Sequence, residues 1–200
     1  QIISSGDGLF PGELVDEFGS RIVDSAVEKI LDAAERQVRR IISGWKDGTY
    51  RGVAYLDDDG RGNEDIAIRA NVTVAASNVK VDLSQSDDEV RSFLNSSYAN
   101  MRSGVAMALA FLFDPDVAKN DGAMRPVEIV ARQGSIVWSN PGMPVAMSTS
   151  HCAQEIIEAV VDALSGACPD QTMSGWGRRL RIAIKGEDPR NGKPFIWHMF

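Results

Sequence analysis

A chain of 200 residues with 44% hydrophobic and 24% charged content is long enough to bury a sizeable core and has the balance of an ordinary globular protein. Its net charge of −7 argues against a nucleic-acid partner, because a phosphate backbone is held by a cationic stripe that releases counterions. No apolar run approaches the ~18 residues of a membrane span, and Gln1–Gly8 has neither the basic start nor the apolar stretch of a signal peptide, so the chain reads as cytoplasmic and without a membrane partner.

From Gly12 to Ser43 the apolar residues Leu14, Phe18, Ile22, Ala26, Ile30, Ala34, Val38 and Ile41 recur at three- and four-residue steps, which predicts a long amphipathic helix that packs on one side. Pro11 suits its first turn and Gly44 its end. Glu28, Lys29, Asp32, Glu35, Arg36 and Arg39 form the opposite, solvated face. Next, Ile66, Ile68, Ala70, Val72 and Val74 alternate with polar or small residues, as do Val79, Val81 and Leu83 after Ala76-Ser77-Asn78. These predict a hairpin, and a preceding strand from Thr49 to Leu56, turning at Asp57-Asp-Asp-Gly60, completes an antiparallel meander.

Ser97 to Phe113 is apolar nearly all round, the mark of a centrally buried helix, with Asn95, Ser96 and Ser97 available to cap its amides. Short strands near Val127–Ala131 and Ser135–Trp138 follow, then a second helix from about Ser150 to Ser165. Two last strands, Leu180–Lys185 and Phe195–Phe200, flank a turn at Asn191-Gly192. No repeat or linker divides the chain, so residues 1–200 read as a single α+β segment. Gln1 in place of an initiator Met, and the apolar close Phe195-Ile-Trp-His-Met-Phe200, predict an internal piece of a longer protein that packs against the rest of its own subunit.

The chemistry-bearing residues are few. Counted from Asp57 as an EF-hand, Gly62 falls at the required sixth place, but Arg61 takes the fifth and Ile68 the twelfth, where oxygen ligands are needed. Asp57-Asp-Asp-Gly60 therefore reads as a solvated hairpin turn. His151 and His198 are the only histidines; they share no ligand spacing, His151 reads as a helix-start residue, and His198 alternates with Trp197 and Met199 in a strand from which it can line a pocket. Cys152 and Cys168 match neither a redox pair nor a zinc set and read as reduced thiols. Gly6, Gly8 and Gly12 make no phosphate loop, and Gly-x-Ser-x-Gly is absent. Ser148-Thr-Ser150, like Asn95-Ser-Ser97, reads as a helix cap, with a substrate carboxylate as the sharper alternative. Arg178, Arg179, Arg181 and Lys185 form a small basic run; Arg179 and Arg181 share one strand face, in solvent or at an interface.

Between Phe111 and Ala146 the pairs and triplets Asp114-Pro-Asp116, Asn120-Asp-Gly122, Arg125-Pro126, Gly134-Ser135 and Asn140-Pro141 fall in the order and spacing of the hydantoinase B pattern. Tyr55-Leu-Asp-Asp-Asp-Gly60, Val81-Asp-Leu-Ser84, Val90-Arg91 with Asn95, and Ala33-Ala-Glu-Arg36 resemble the same family, so the likeness spans about residues 14 to 170. One departure is His151-Cys-Ala-Gln154, where the family tends to show Glu-Thr-Ser-Gln.

The resemblance implies a middle portion of a large α+β subunit that works with an ATP-binding A subunit on a small-molecule substrate. It implies ATP-driven hydrolysis of a cyclic amide such as a hydantoin or oxoproline. In the carboxylase branch it implies ATP-driven carboxylation of a ketone. A third reading, from a different class, makes the segment a non-catalytic assembly module. The divalent metal known in the carboxylase branch has its ligands upstream of the matched part, so the resemblance assigns no metal and no nucleotide to this chain's own residues. Asp82, Asn95, Arg125 and His198 are the candidate site residues.

Overall fold

The computed structural model describes residues 10–146, 148–173 and 182–199. The amino-terminal stripe forms two helices rather than one, α1 (Phe10–Phe18) and α2 (Ser20–Ile42). They are separated by Gly19, whose φ of +82° is open to a residue without a Cβ. The stripe packs only at its carboxyl-terminal end, where Ala34, Val38 and Ile42 are buried. Leu14, Phe18, Ile22 and Ile30 remain exposed.

The meander follows as read: β1 (Gly48–Asp58), β2 (Glu64–Ala75) and β3 (Asn78–Asp82) pair antiparallel in order. The turn at Ala76-Ser77 is braced from outside, since the Asp47 carboxylate accepts from Ala76 N–H at 2.9 Å and the Arg39 guanidinium donates to Asn78 Oδ1 at 2.8 Å. A fourth strand, β4 (Val127–Val130), joins β3 in parallel, so the sheet is mixed with order β1-β2-β3-β4. Ser135–Trp138 is no strand; it is a turn in which Ser135 makes isolated bridges to Asp88 and Trp138.

Two long helices build the layers beyond the sheet, one packed on the other and that other on β1 and β2. The first, α3 (Tyr98–Leu112), is capped by Ser97, whose hydroxyl accepts from Asn100 N–H at 3.2 Å. Its Met101, Val105, Ala108, Leu109 and Leu112 are buried, but Met107 and Phe111 point out, so the helix is half-covered rather than central on all sides. The short α4 (Asp121–Met124), capped by the Asn120 side chain, packs closely on α2, where a Cβ at Gly122 would stand 2.1 Å from Leu31 O. The second of these long helices, α5 (Cys152–Leu164), lies directly on β1 and β2. Its approach depends on Gly52: a Cβ there would stand 2.0 Å from Ala159 O and 2.5 Å from Ala163 N.

Trp45 closes the lower edge of the core, stacking on Phe113 at 6.0 Å and donating its indole N–H to Gln171 Oε1 at 2.8 Å. Both cysteines are buried and reduced, and burial pushes the Cys168 thiol up to about 11. Beyond residue 181, β5 (Ile182–Glu187) and β6 (Pro194–Met199) pair as a separate antiparallel ribbon, with Gly192 at φ +68° in its turn. Leu180, Arg178, Arg179 and Arg181, like Gly6, Gly8 and Phe200, lie outside the described residues. Among the described residues no helix is long and apolar enough to cross a membrane.

Candidate functional site

A cleft of 710 Å³ opens at one end of the sheet where three separate stretches of sequence converge. One wall is the end of the β1–β2 hairpin from Leu56 to Arg61. The second is the loop Arg91–Leu94, with Pro144 beside it. The third is the amino-terminal end of α5, carrying Ser150, His151, Gln154 and Glu155. A volume of this order is that of a small-molecule site.

The acidic turn is built by its own hydrogen bonds. Asp58 Oδ1 accepts from Gly60 N–H at 2.8 Å. Asp59 is buried and accepts from Arg61 N–H at 2.8 Å and Asn63 N–H at 3.0 Å, while its second oxygen takes the Asn63 side-chain amide at 2.6 Å. These donors, the Asn63 side chain foremost, hold the Asp59 carboxyl below its ordinary value against the opposing effect of desolvation. Gly60 and Gly62, both at positive φ, let the chain fold back over that carboxylate. Asp57 and Asp58 thus end β1 and the turn runs from Asp59 to Asn63, with Asp59 buried rather than solvated, and this end of the hairpin is a wall of the cleft.

The loop on the other side is fixed by Asn95. Its buried amide accepts from Val90 N–H at 2.8 Å and donates to Val90 O at 2.7 Å, Ser92 O at 2.9 Å and Pro144 O at 3.0 Å. One side chain thus ties Arg91–Leu94 to the Pro144 segment, and both line the cleft. Within this loop the Ser92 hydroxyl is buried and has no hydrogen-bond partner among the described residues. Glu155, on the facing helix, is also buried. His151 sits at the α5 start, as read, but its side chain makes no capping hydrogen bond; it lines the cleft instead.

The four residues singled out from sequence are not brought together. Asp82 ends β3, and its carboxylate accepts from Ser84 N–H at 2.8 Å, which turns the chain after the strand. Arg125 clamps α4 to α2, pairing with Glu28 at 2.7 Å, Asp32 at 2.6 Å and Glu35 at 3.4 Å. These carboxylates, Glu28 foremost, hold the guanidinium firmly protonated. Asn95 stands behind the cleft wall as described. His198 lies in β6 opposite Ala183, and its side chain is outside the described residues. None of Asp82, Asn95 and Arg125 lines the cleft. Arg61, Arg91, Ser92 and Glu155 do, and no spacing in the sequence joins the three stretches they come from. The sequence signals near them are Tyr55-Leu-Asp-Asp-Asp-Gly60, Val90-Arg91 with Asn95, and His151-Cys-Ala-Gln154, which mark the three stretches without marking Ser92 or Glu155.

Among the described residues no group of three or more His, Cys, Asp or Glu is arranged to hold a metal ion, so the residues present do not fit one. Nor does the cleft suit a triphosphate, whose charge would face Asp57, Asp58 and Glu155.

Fold and cleft together define a mixed-sheet α+β chain with a cleft of small-molecule size walled by both polar and apolar groups. The chain belongs to the hydantoinase B/oxoprolinase family, whose model matches residues 11–200. It is 31% identical to the beta chain of the caprolactamase of Pseudomonas jessenii over 90% of its length, and 26% identical to the B component of a putative D-/L-hydantoinase from a Pseudomonas strain over 90%. The crystal structure of the ATP-dependent caprolactamase from Pseudomonas jessenii superposes with a TM-score of 0.80 at 30% identity, covering 92% of this chain and 32% of that one. A nucleotide-free acetone carboxylase shares the fold with a TM-score of 0.77 at 16% identity, covering 94% of this chain and 27% of that one. The chain spans about a third of the length of the two curated relatives named, 31% and 32%.

Proposed function

We propose that this chain is part of an ATP-dependent hydrolase of cyclic amides and works with an ATP-binding subunit of the hydantoinase A type. The observation that carries the reading is its likeness, along nine-tenths of its length, to one component of a caprolactamase and one of a hydantoinase. An amide carbonyl is a poor electrophile, and ATP bound on the partner supplies the phosphoryl chemistry that makes ring opening downhill. This chain's part is to hold and orient the ring, in the cleft between the β1–β2 turn and α5. Any divalent metal belongs to residues outside it.

The test is ring opening of caprolactam, hydantoin and oxoproline by the full-length protein with its A-type partner, with ATP present and withheld. ATP-dependent ring opening of any of them supports the reading. If a ketone is carboxylated and no cyclic amide is opened, the chain belongs to the carboxylase branch. The isolated 200 residues are expected to bind no ATP by calorimetry, and appreciable affinity would remove the need for a partner.

A second reading, a structural module for assembly, is favoured by one observation. Leu14, Phe18, Ile22 and Ile30 leave an apolar stripe uncovered along α1 and the first half of α2. Replacing Ile22 and Ile30 with Asp in the full-length protein is expected to weaken assembly, read by sedimentation, if that stripe is an internal or intersubunit contact.

A further inference from the structure

We infer that Ser92 is a substrate-binding residue, donating its hydroxyl to the carbonyl oxygen of a neutral cyclic amide held in the cleft, with Glu155 on the facing helix accepting from the ring N–H. The inference rests on the proposed function and names the residues that carry it.

The first ground is Ser92 itself. It is 3% exposed, lines the cleft, and its Oγ has no hydrogen-bond partner among the described residues. A buried hydroxyl without a partner is costly, and folded proteins retain few of them unless a bound molecule or water completes the bond. The neighbouring polar atoms do not serve it. The Ser92 carbonyl is taken by the Asn95 amide, and Asn95 spends its remaining capacity on Val90 and Pro144. Asn95 thus locks the backbone of this loop, and the Ser92 hydroxyl beside it is left buried and without a partner among the described residues in the cleft wall.

The second ground is the chemistry of the walls. Glu155 is 2% exposed and lines the same cleft; a carboxyl group has lone pairs enough to accept from a ligand as well as from a neighbour. Leu56, Leu94, Phe93 and Pro144 supply apolar surface for ring methylenes. The acids Asp57, Asp58 and Glu155 outnumber Arg61 and Arg91, which disfavours an anionic ligand. Asp58 and Asp59 are occupied by the amides of their own turn, which removes them as a cage for a cation. A neutral molecule with one acceptor, one donor and an apolar body remains. A cyclic amide has that composition, and its hydrolysed form, which carries a carboxylate, does not.

The test uses the full-length protein with its A-type partner, and Ser92→Ala, Glu155→Gln and Phe93→Ala variants. Phe93 is half-exposed at the cleft, so its truncation leaves the core intact. Ser92→Ala is expected to raise the KM for caprolactam or hydantoin, whichever is opened, by about five- to tenfold, the worth of one neutral hydrogen bond. Glu155→Gln, which keeps the shape of the side chain, is expected to raise the same KM. The KM for ATP is expected to stay within about twofold in the Ser92→Ala variant, and its melting temperature to stay the same or rise, since an unpartnered buried hydroxyl is removed. Phe93→Ala raises the cyclic-amide KM several-fold. An unchanged cyclic-amide KM in Ser92→Ala overturns the inference while leaving the proposed function standing, whatever Phe93→Ala does. A fall in melting temperature with no change in KM overturns it too, by making Ser92 a structural residue. If the wild-type complex opens no cyclic amide, the proposed function fails and the inference fails with it.

Discussion

Gly52→Ala tests the packing on which the cleft depends. The added methyl carbon would lie 2.0 Å from Ala159 O and 2.5 Å from Ala163 N, both backbone atoms of α5, whereas ordinary contact begins at 3.4 Å. No rotamer change relieves a clash with helix backbone, so β1 and α5 must part by more than an ångström. Overpacking of a closed interface costs about 1–3 kcal/mol, and the rigidity of both partners puts this change at the upper end. For a protein of this size each kcal/mol lowers the melting temperature by about 2–4 °C, so a loss of roughly 6–12 °C is expected by circular dichroism. The effect reaches the cleft as well, because β1 carries Leu56–Asp58 and α5 carries Gln154 and Glu155 on opposite walls. Substrate KM is therefore expected to rise along with the loss of stability. A melting temperature within about 2 °C of wild type, by the same measurement, would refute the close β1–α5 contact and the account of the cleft built on it.

Three further outcomes follow from the same contacts. Arg125→Ala leaves Glu28, Asp32 and Glu35 facing one another on α2, so the melting temperature should fall, and by more at low salt than at high salt, where the pairs are screened. Asn95→Ala orphans the buried Val90 N–H and frees the Arg91–Leu94 loop from Pro144; urea titration is expected to show a loss of about 2–3 kcal/mol. The Asp59 carboxyl is held below its ordinary value of 3.8, so the folded state binds its proton less readily than the unfolded chain. Its contribution is complete above that value and is lost as pH falls through the lower folded value, so Asp59→Asn is expected to flatten the stability profile below about pH 4, measured by thermal melts across about pH 2–6.

Much of this chain is legible without coordinates. Period-two alternation in Ile66–Val74 and Val79–Leu83 announces the hairpin, because a one-residue slip would turn every Val and Ile to water. Ser97 is readable as a cap because a short hydroxyl before a helical run has free amides to bind. The acidic turn is readable because Asp and Gly are what such a turn selects. The family too shows in local motifs, chiefly Asp114 to Pro141. The break at Gly19 was open to reading, since a glycine interrupts the stripe, but periodicity continues in register across it and hides the kink.

What periodicity does not report is which part of an apolar stripe meets a partner. Ala34, Val38 and Ile42 are buried and Ile22 and Ile30 are not, although all obey the same spacing, because only the sheet and α4 decide where there is something to pack against. The role of Arg125 was hidden for a like reason, its three carboxylates lying some ninety residues earlier. The candidate site shows the limit most clearly. Residues 56–61, 91–94 and 150–155 carry no shared pattern, and their meeting is set by the antiparallel register of β1 on β2, the Asn95 staple and the seat of α5 on Gly52. Composition and periodicity record what each segment does to water. Convergence of three segments on one cleft is a property of long-range packing, and only the tertiary structure decides it.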